Sequence, residues 1–255
     1  MNSTVKRALI RLSGVAICLS LLELAIRAGL ITSRFVPRPT AVAYAFGSNA
    51  QYILASSLVT IRNIFVGFFI GSTLGVSAGI VLGWSRNLYL SFSPLLYLFS
   101  TIPFITFLPL FIIWFGLGIG PIFATTILAA FFPVLMGAMT AVQRTDPATV
   151  EVARNLGANE TQILRTVVIP ASMPGILSGL RSSLQLSFLV TPVAEMIVGA
   201  IGLGGLIWRS ADLFMVDLMV AGQITLGVLG LILMFIFRHV EVHYLTPWLP
   251  HRDSE

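Results

Sequence analysis

The sequence predicts an all-α, polytopic membrane protein with about six transmembrane helices and one long helical loop on the cytoplasmic side. Three observations predict it. Of 255 residues, 56% are hydrophobic and only 10% charged, with a mean hydropathy of +0.95, whereas a soluble domain carries about a quarter charged residues. The apolar residues gather into runs long enough to cross a hydrocarbon core of about 30 Å. One polar stretch, residues 143–175 (QRTDPATVEVARNLGANETQILRTVVIPASMPG), is the longest interruption of that pattern.

At the N-terminus, Lys6, Arg7 and Arg11 lead into an apolar run that reaches about Ile31. A signal peptide is the competing reading, but the run is long enough to span and no small-residue cleavage site of the A-x-A kind follows it. It reads as a first, peripheral transmembrane helix, in which Glu23 and Arg27 stand four residues apart and pair along one face. Residues 33–49, with Arg34, Pro37, Arg38 and Pro39, read as a turn-rich connection outside the membrane. Residues 1–52 thus form an N-terminal unit, 53–248 the core, and 249–255 a cytoplasmic tail.

The second span covers 53–84. Gly67, Gly71, Gly75, Gly79 and Gly83 recur in it every fourth residue, a small-residue stripe that lets another helix backbone approach closely. After a polar turn at 85–87, the third span runs from 91 to 115. Pro94, Pro103 and Pro109 kink or interrupt it, so the freed carbonyls must be satisfied by protein or a wet cavity, and it is the candidate pathway helix. Residues 114–120 (WFGLGIG) turn into the fourth span, 122–142. The fifth covers 175–199 and the sixth 216–237. Between them, 199–217 reads as a glycine-rich loop holding Arg209 and Asp212.

The net charge of +5 and isoelectric point near 10.0 come from basic residues scattered beside apolar runs, the pattern of topology signals and not of a nucleic-acid surface. A cytoplasmic N-terminus places Lys6, Arg7, Arg11, Arg86, Arg144, Arg154, Arg165, Arg181, Arg238 and Arg252 inside and leaves chiefly Arg34, Arg38 and Arg209 outside. The polar stretch and both termini then face the cytoplasm. Cys18 is the only cysteine, so no disulfide or thiolate metal framework forms within one chain.

The polar stretch reads as two short helices about a glycine turn. Asp146 caps the first through its carboxylate, and Pro147 suits the first helical position. That helix runs to about Leu156, and Gly157 supplies the left-handed residue that closes it. Asn159 with Gln162 forms a capping box for the second helix, which stops before Pro170. Val150, Ala153, Leu156, Ile163, Leu164 and Val167 fall at helical spacing, a face to be buried by the bundle or by a partner.

No catalytic machinery is evident. A P-loop needs G-x-x-x-x-G-K-[ST], and the sole lysine, Lys6, follows Val5. His239 and His243 are four apart, but H-V-E-V-H is not H-E-x-x-H and lacks a third ligand. Arg62, Arg181 and Glu195 lie nearest the middle of the spans. Snorkelling accounts for the arginines, while Glu195 calls for a polar cavity or a cationic partner. Thr101, Pro103, Ser187, Thr191 and Glu195 are the pathway candidates.

Glu151-Val152-Ala153, Gly157 and Ile169-Pro170 resemble the EAA loop of ABC importer permeases: E-A-A, three residues, G, nine residues, I-x-L-P. Val152 replaces an alanine, Ile169 the leucine, and Val167 stands at the isoleucine. From about residue 57 to 248 the order of features is similar to permeases of nitrate, sulfonate and taurine importers: Thr101-Ile102-Pro103, IWFGLG, the run from Pro174 to Arg181, Ala194-Glu195-Met196 and Leu245-Thr246-Pro247-Trp248. Ser100 and Phe104 replace an arginine and a proline of that pattern, and Ile119 a charged residue. The resemblance implies a type I importer permease fold in a bacterial inner membrane. It also implies a second copy of the chain, an extracytoplasmic binding protein, and two cytoplasmic ATPases that hold the ATP and Mg, with no cofactor on this chain. Glu151, Ala153, Arg154, Leu156, Gly157, Ala158, Ile169 and Pro170 would be the ATPase-coupling residues. The closing LTPW and the run from Phe35 to Pro39 look most like taurine and alkanesulfonate members, with nitrate, bicarbonate or a small organic nitrogen compound as alternative solutes. A secondary transporter would show internal repeats or a midplane ion site, and a membrane scaffold would need no docking loop.

In a Cys18→Ser background, Asp212→Cys is expected to react with an impermeant thiol reagent on intact cells and Asn159→Cys only after lysis. Labelling of position 159 from outside would invert the topology.

Overall fold

The computed structural model describes residues 3–30, 36–199 and 201–245. Arg34, Phe35, the Thr246-Pro247-Trp248 ending and the tail 249–255 lie outside these residues. Helix α1 (Ser3–Arg27) has 25 residues, a rise of about 37 Å, enough to cross a bilayer. Among the described residues four helices, all after α2, are long and apolar enough to span, and a bent pair makes a fifth, against the six expected.

Residues 36–49 depart from the expected turn-rich connection, because Pro39–Ser48 forms helix α2. The cause is a cap supplied from a distance. Glu23 of α1, already paired with Arg27 at 2.8 Å, accepts from the Thr40 amide at 3.2 Å and the Thr40 hydroxyl at 2.9 Å. A carboxylate therefore meets the Thr40 N–H, the first that the helix has to offer after Pro39. Val42 and Ala45 of α2 join the main apolar core.

Helix α3 (Ala50–Trp84) starts three residues before the expected boundary at 53 and runs unbroken for 35 residues. The third span is not one helix. Helix α4 (Arg86–Thr101) ends at Ile102-Pro103, a short turn (Phe104–Phe107) follows, and helix α5 (Leu108–Phe115) leaves at 91°. Pro103 has no N–H to continue α4, and its carbonyl instead accepts from Thr106 at 2.9 Å.

Helix α6 (Ile119–Gln143) occupies the middle of the bundle, followed by α7 (Pro147–Asn155), α8 (Glu160–Ile163) and α9 (Ile169–Val198). The second loop helix does not stop before Pro170. A π-turn at Leu164–Val168 carries it into α9, so the fifth span begins six residues before 175 and the helical path from Glu160 to Val198 covers 39 residues. Pro170 falls in the first turn of α9, where its missing N–H is tolerated next to the wider turn.

The expected loop at 199–217 contains helix α10 (Gly202–Asp212), and α11 (Val216–Val240) is the last span. Glycines lower helix propensity, yet Leu203, Leu206 and Ile207 are buried against α3 and α11, and packing overrides propensity here. Close approach demands the glycines: a Cβ on Gly204 would lie 2.8 Å from Glu195 Cβ and strike the Pro192 carbonyl.

The α3 stripe packs on α6. A Cβ on Gly75 would meet the Phe131 carbonyl at 2.6 Å, on Gly79 the Leu135 carbonyl at 2.6 Å, and on Gly83 the Met139 carbonyl at 2.7 Å. Gly67 faces Thr126, and Gly71 faces Ile127 and Ala130. On the other side of α6, a Cβ on Gly137 would lie 3.0 Å from Gly179 Cα of α9.

Gly79→Leu is expected to lower the melting temperature of the purified chain by several degrees, since no rotamer relieves a clash with backbone and overpacking costs about 1–3 kcal/mol. Gly227, with nothing within 4 Å of its Cβ position, is the control, and Gly227→Leu should leave the transition unchanged.

Candidate functional site

The loop after α6 is built from local chemistry. Asp146 accepts from the Ala148 amide at 3.0 Å and the Thr149 hydroxyl at 3.1 Å, fixing the start of α7. Gly157 has φ +87°, the left-handed conformation that reverses the chain between the helices. Asn159 accepts from the Gln162 amide at 2.9 Å while Gln162 accepts from the Asn159 amide at 2.8 Å, a complete capping box. Arg154 and Glu160 close the turn with an ion pair at 2.8 Å; both are exposed, so the pair adds more to shape than to stability.

The apolar face turns inward. Val150, Ala153, Ala158, Leu164 and Val167 pack around buried Ile163 and Val168 and against Ile80, Trp84 and Val142 at the ends of α3 and α6. Leu156 does not belong to that face: it follows the last α7 residue as the C-cap and is 83% exposed. Val152 is also exposed, beside exposed Glu151 and Arg154. The surface presented outward is therefore a pair of apolar side chains ringed by charge on a stiff turn. Ile169 is half-buried and Pro170 exposed, one helical turn along from this loop.

The pathway candidates divide into two places. Thr101 and Pro103 are exposed at the break between α4 and α5. Ser187, Thr191 and Glu195 are fully buried in α9. Ser187 donates to the Ser183 carbonyl at 2.8 Å, Thr191 to the Ser187 carbonyl at 2.7 Å, and the Thr191 hydroxyl meets that of Thr126 on α6 at 2.9 Å.

Glu195 answers to neutral donors. Its carboxylate accepts from the Thr60 hydroxyl at 2.8 Å, the Asn63 amide at 2.8 Å and the Gly204 backbone N–H at 3.1 Å. Thr60 in turn accepts from the Leu203 amide at 2.8 Å. The cation stands one residue further out: exposed Arg62 donates to Asn63 Oδ1 at 3.1 Å. Thr60 and Asn63 escaped the sequence reading, although two polar residues at i, i+3 inside an apolar run were a signal. Arg181 pairs with Glu241 and ties α9 to the far end of α11. His239 and His243 stack on each other with ring centroids 4.8 Å apart.

A polar groove lies between α6 and α9. It is open, spans about 560 Å³, and is lined by Thr140, Arg144, Ser178 and Ser182 together with Pro133, Met136, Gly137 and Gly175.

The chain is thus a helical membrane bundle that carries an exposed two-helix loop at one end. Comparison with known proteins gives the family: residues 71–244 match the binding-protein-dependent transport system inner membrane component, and the chain belongs to it. It is 31% identical over 195 residues to the taurine transport system permease of Escherichia coli, covering 76% of this chain and 70% of that one. It is 28% identical over 189 residues to the formylaminopyrimidine transport permease of Halalkalibacterium halodurans, covering 74% and 75%. In fold it is similar to a chain from inward-facing conformations of the MetNI methionine ABC transporter, with a TM-score of 0.66 at 22% identity, over 78% of this chain and 97% of that one. The chain is an ABC transporter permease subunit of the inner membrane.

Gly157→Val is expected to leave the chain inserted and to depress substrate-stimulated ATPase activity of the assembled transporter several-fold, because a β-branched residue resists positive φ. Gly157→Asn, which tolerates that conformation, should retain most of it. Equal stimulation by the valine variant would show that the turn geometry is dispensable.

Proposed function

We propose that two copies of this chain form the import pathway for a small sulfonate of the taurine type, driven by two cytoplasmic ATPases and fed by an extracytoplasmic binding protein. What carries the reading is the identity of 31% with a taurine permease over three quarters of the chain, joined to a coupling-type loop whose outward face is Glu151, Val152, Arg154 and Leu156. Both termini and the loop are assigned to the cytoplasm, where the ATPases meet it. ATP-driven closure of the ATPases moves α7, and the continuous helix from Glu160 to Val198 passes that movement to the bundle. Thr101 and Pro103, at the exposed break, are assigned to the pathway. Ser187, Thr191 and Glu195 are assigned to the frame around it.

A permease fed by a binding protein needs only weak binding of its own, since tight binding in the pathway opposes release. A second reading, import of a small organic nitrogen compound, is favoured by the 28% identity with the formylaminopyrimidine permease.

In proteoliposomes holding the permease, its ATPase and its binding protein, taurine is expected to accumulate with ATP inside and to be displaced by short alkanesulfonates but not by aminopyrimidines. Accumulation of an aminopyrimidine without taurine uptake would transfer the assignment to the second reading and keep the permease.

A further inference from the structure

The groove between α6 and α9 sets a physical problem. Thr140 of α6 stands one turn from Arg144, the C-cap of that helix, Ser178 and Ser182 stand one turn apart on α9, and all four line the same space of about 560 Å³. Most hydroxyls in the spans are spent internally: Ser183, Ser187 and Thr191 each donate to a backbone carbonyl, as does Ser182 to Ser178. The side chains of Thr140, Ser178 and Arg144 have no hydrogen-bond or charged partner among the described residues. Lipid does not solvate a guanidinium and two open hydroxyls, so this strip faces water or a polar ligand. The close contacts of Gly137 with Gly179 and of Gly175 with Ala141, whose Cβ a side chain at 175 would strike, draw the two helices together at the floor.

We propose that this groove is a binding station for a small oxyanion, with Arg144 the residue that selects anions. A planar guanidinium offers paired N–H donors that match a sulfonate, sulfate or carboxylate edge, and the Thr140 and Ser178 hydroxyls add donors for the remaining oxygens. No carboxylate lines the groove to oppose an anion. Arg144 immediately precedes the coupling-type loop, whose first cap is Asp146, so the station sits at the loop end of the bundle, where a solute leaves the permease. The inference rests on the reading of the chain as an anion permease and adds the residue that enforces the charge.

The test places a thiol in the groove. In a Cys18→Ser background, Ser178→Cys in the permease–ATPase complex in nanodiscs is treated with sulfonatoethyl methanethiosulfonate and, separately, with its trimethylammonium counterpart. Rates are divided by those for a free thiol. The anionic reagent is expected to be favoured by about fivefold or more at low salt, less at high salt, and Arg144→Gln should abolish the preference. Equal normalised rates for the two reagents would overturn the proposal. So would the absence of any labelling in an intact complex, which would mean that a second copy of the chain covers this face. Ser182→Cys serves as the reporter where Ser178→Cys fails to assemble. Slowing of the reaction by taurine joins the station to the sulfonate reading. Slowing by nitrate and not by taurine keeps the station and removes that reading, while taurine uptake without a charge preference removes the station alone.

Discussion

The bundle depends on α6 lying within backbone contact of two neighbours at once. On one side Gly75, Gly79 and Gly83 of α3 leave no room for a Cβ against α6 carbonyls, and on the other Gly137 meets Gly179 of α9. In lipid there is little hydrophobic gain in bringing two apolar helices together, and close van der Waals packing over small residues takes over that role. Every other placement follows from it. The ends of α3 and α6 come together closely enough for Trp84 and Val142 to form a seat, and on that seat the two short loop helices bury their apolar face.

At the opposite end, the same three-helix unit is closed by polar bonds. Glu195 gathers Thr60 and Asn63 from α3 and the Gly204 amide from α10. A buried carboxylate costs less when both its oxygens meet donors, and removing one partner from such a set is more damaging than never having built it. This explains how a segment rich in glycine becomes a packed helix: the carboxylate and the Thr60 hydroxyl engage the amides of Gly204 and Leu203, donors that the first turn of any helix leaves unpaired.

What the sequence disclosed was whatever depends on neighbours a few positions away. Asp146, Gly157 and the Asn159–Gln162 box could be read directly, because a cap or a left-handed turn is settled within three residues. The spans were legible from hydropathy, and the break near Pro103 from the missing N–H. What stayed hidden depends on distance along the chain. Thr60 and Glu195 are 135 residues apart, and the cap of α2 comes from Glu23, 17 residues before Thr40, so what fixes α10 and caps α2 had no local signature. Leu156 was misread because spacing assumes a helix that continues, whereas the chain turns at that residue. Pro170 was misread as a stop because a π-turn, which no residue pattern announces, widens the helix just ahead of it.

That π-turn has a mechanical consequence. Since the helix is unbroken from Glu160 to Val198, over 39 residues, the short second loop helix is one tip of a rod about 58 Å long. A tilt of about 5° around the rod's midpoint carries each tip through roughly 2.5 Å, in opposite directions. Tilted as one body, the helix would carry Glu160 and Glu195, with the α10 that hangs from Glu195, through comparable distances in opposite senses.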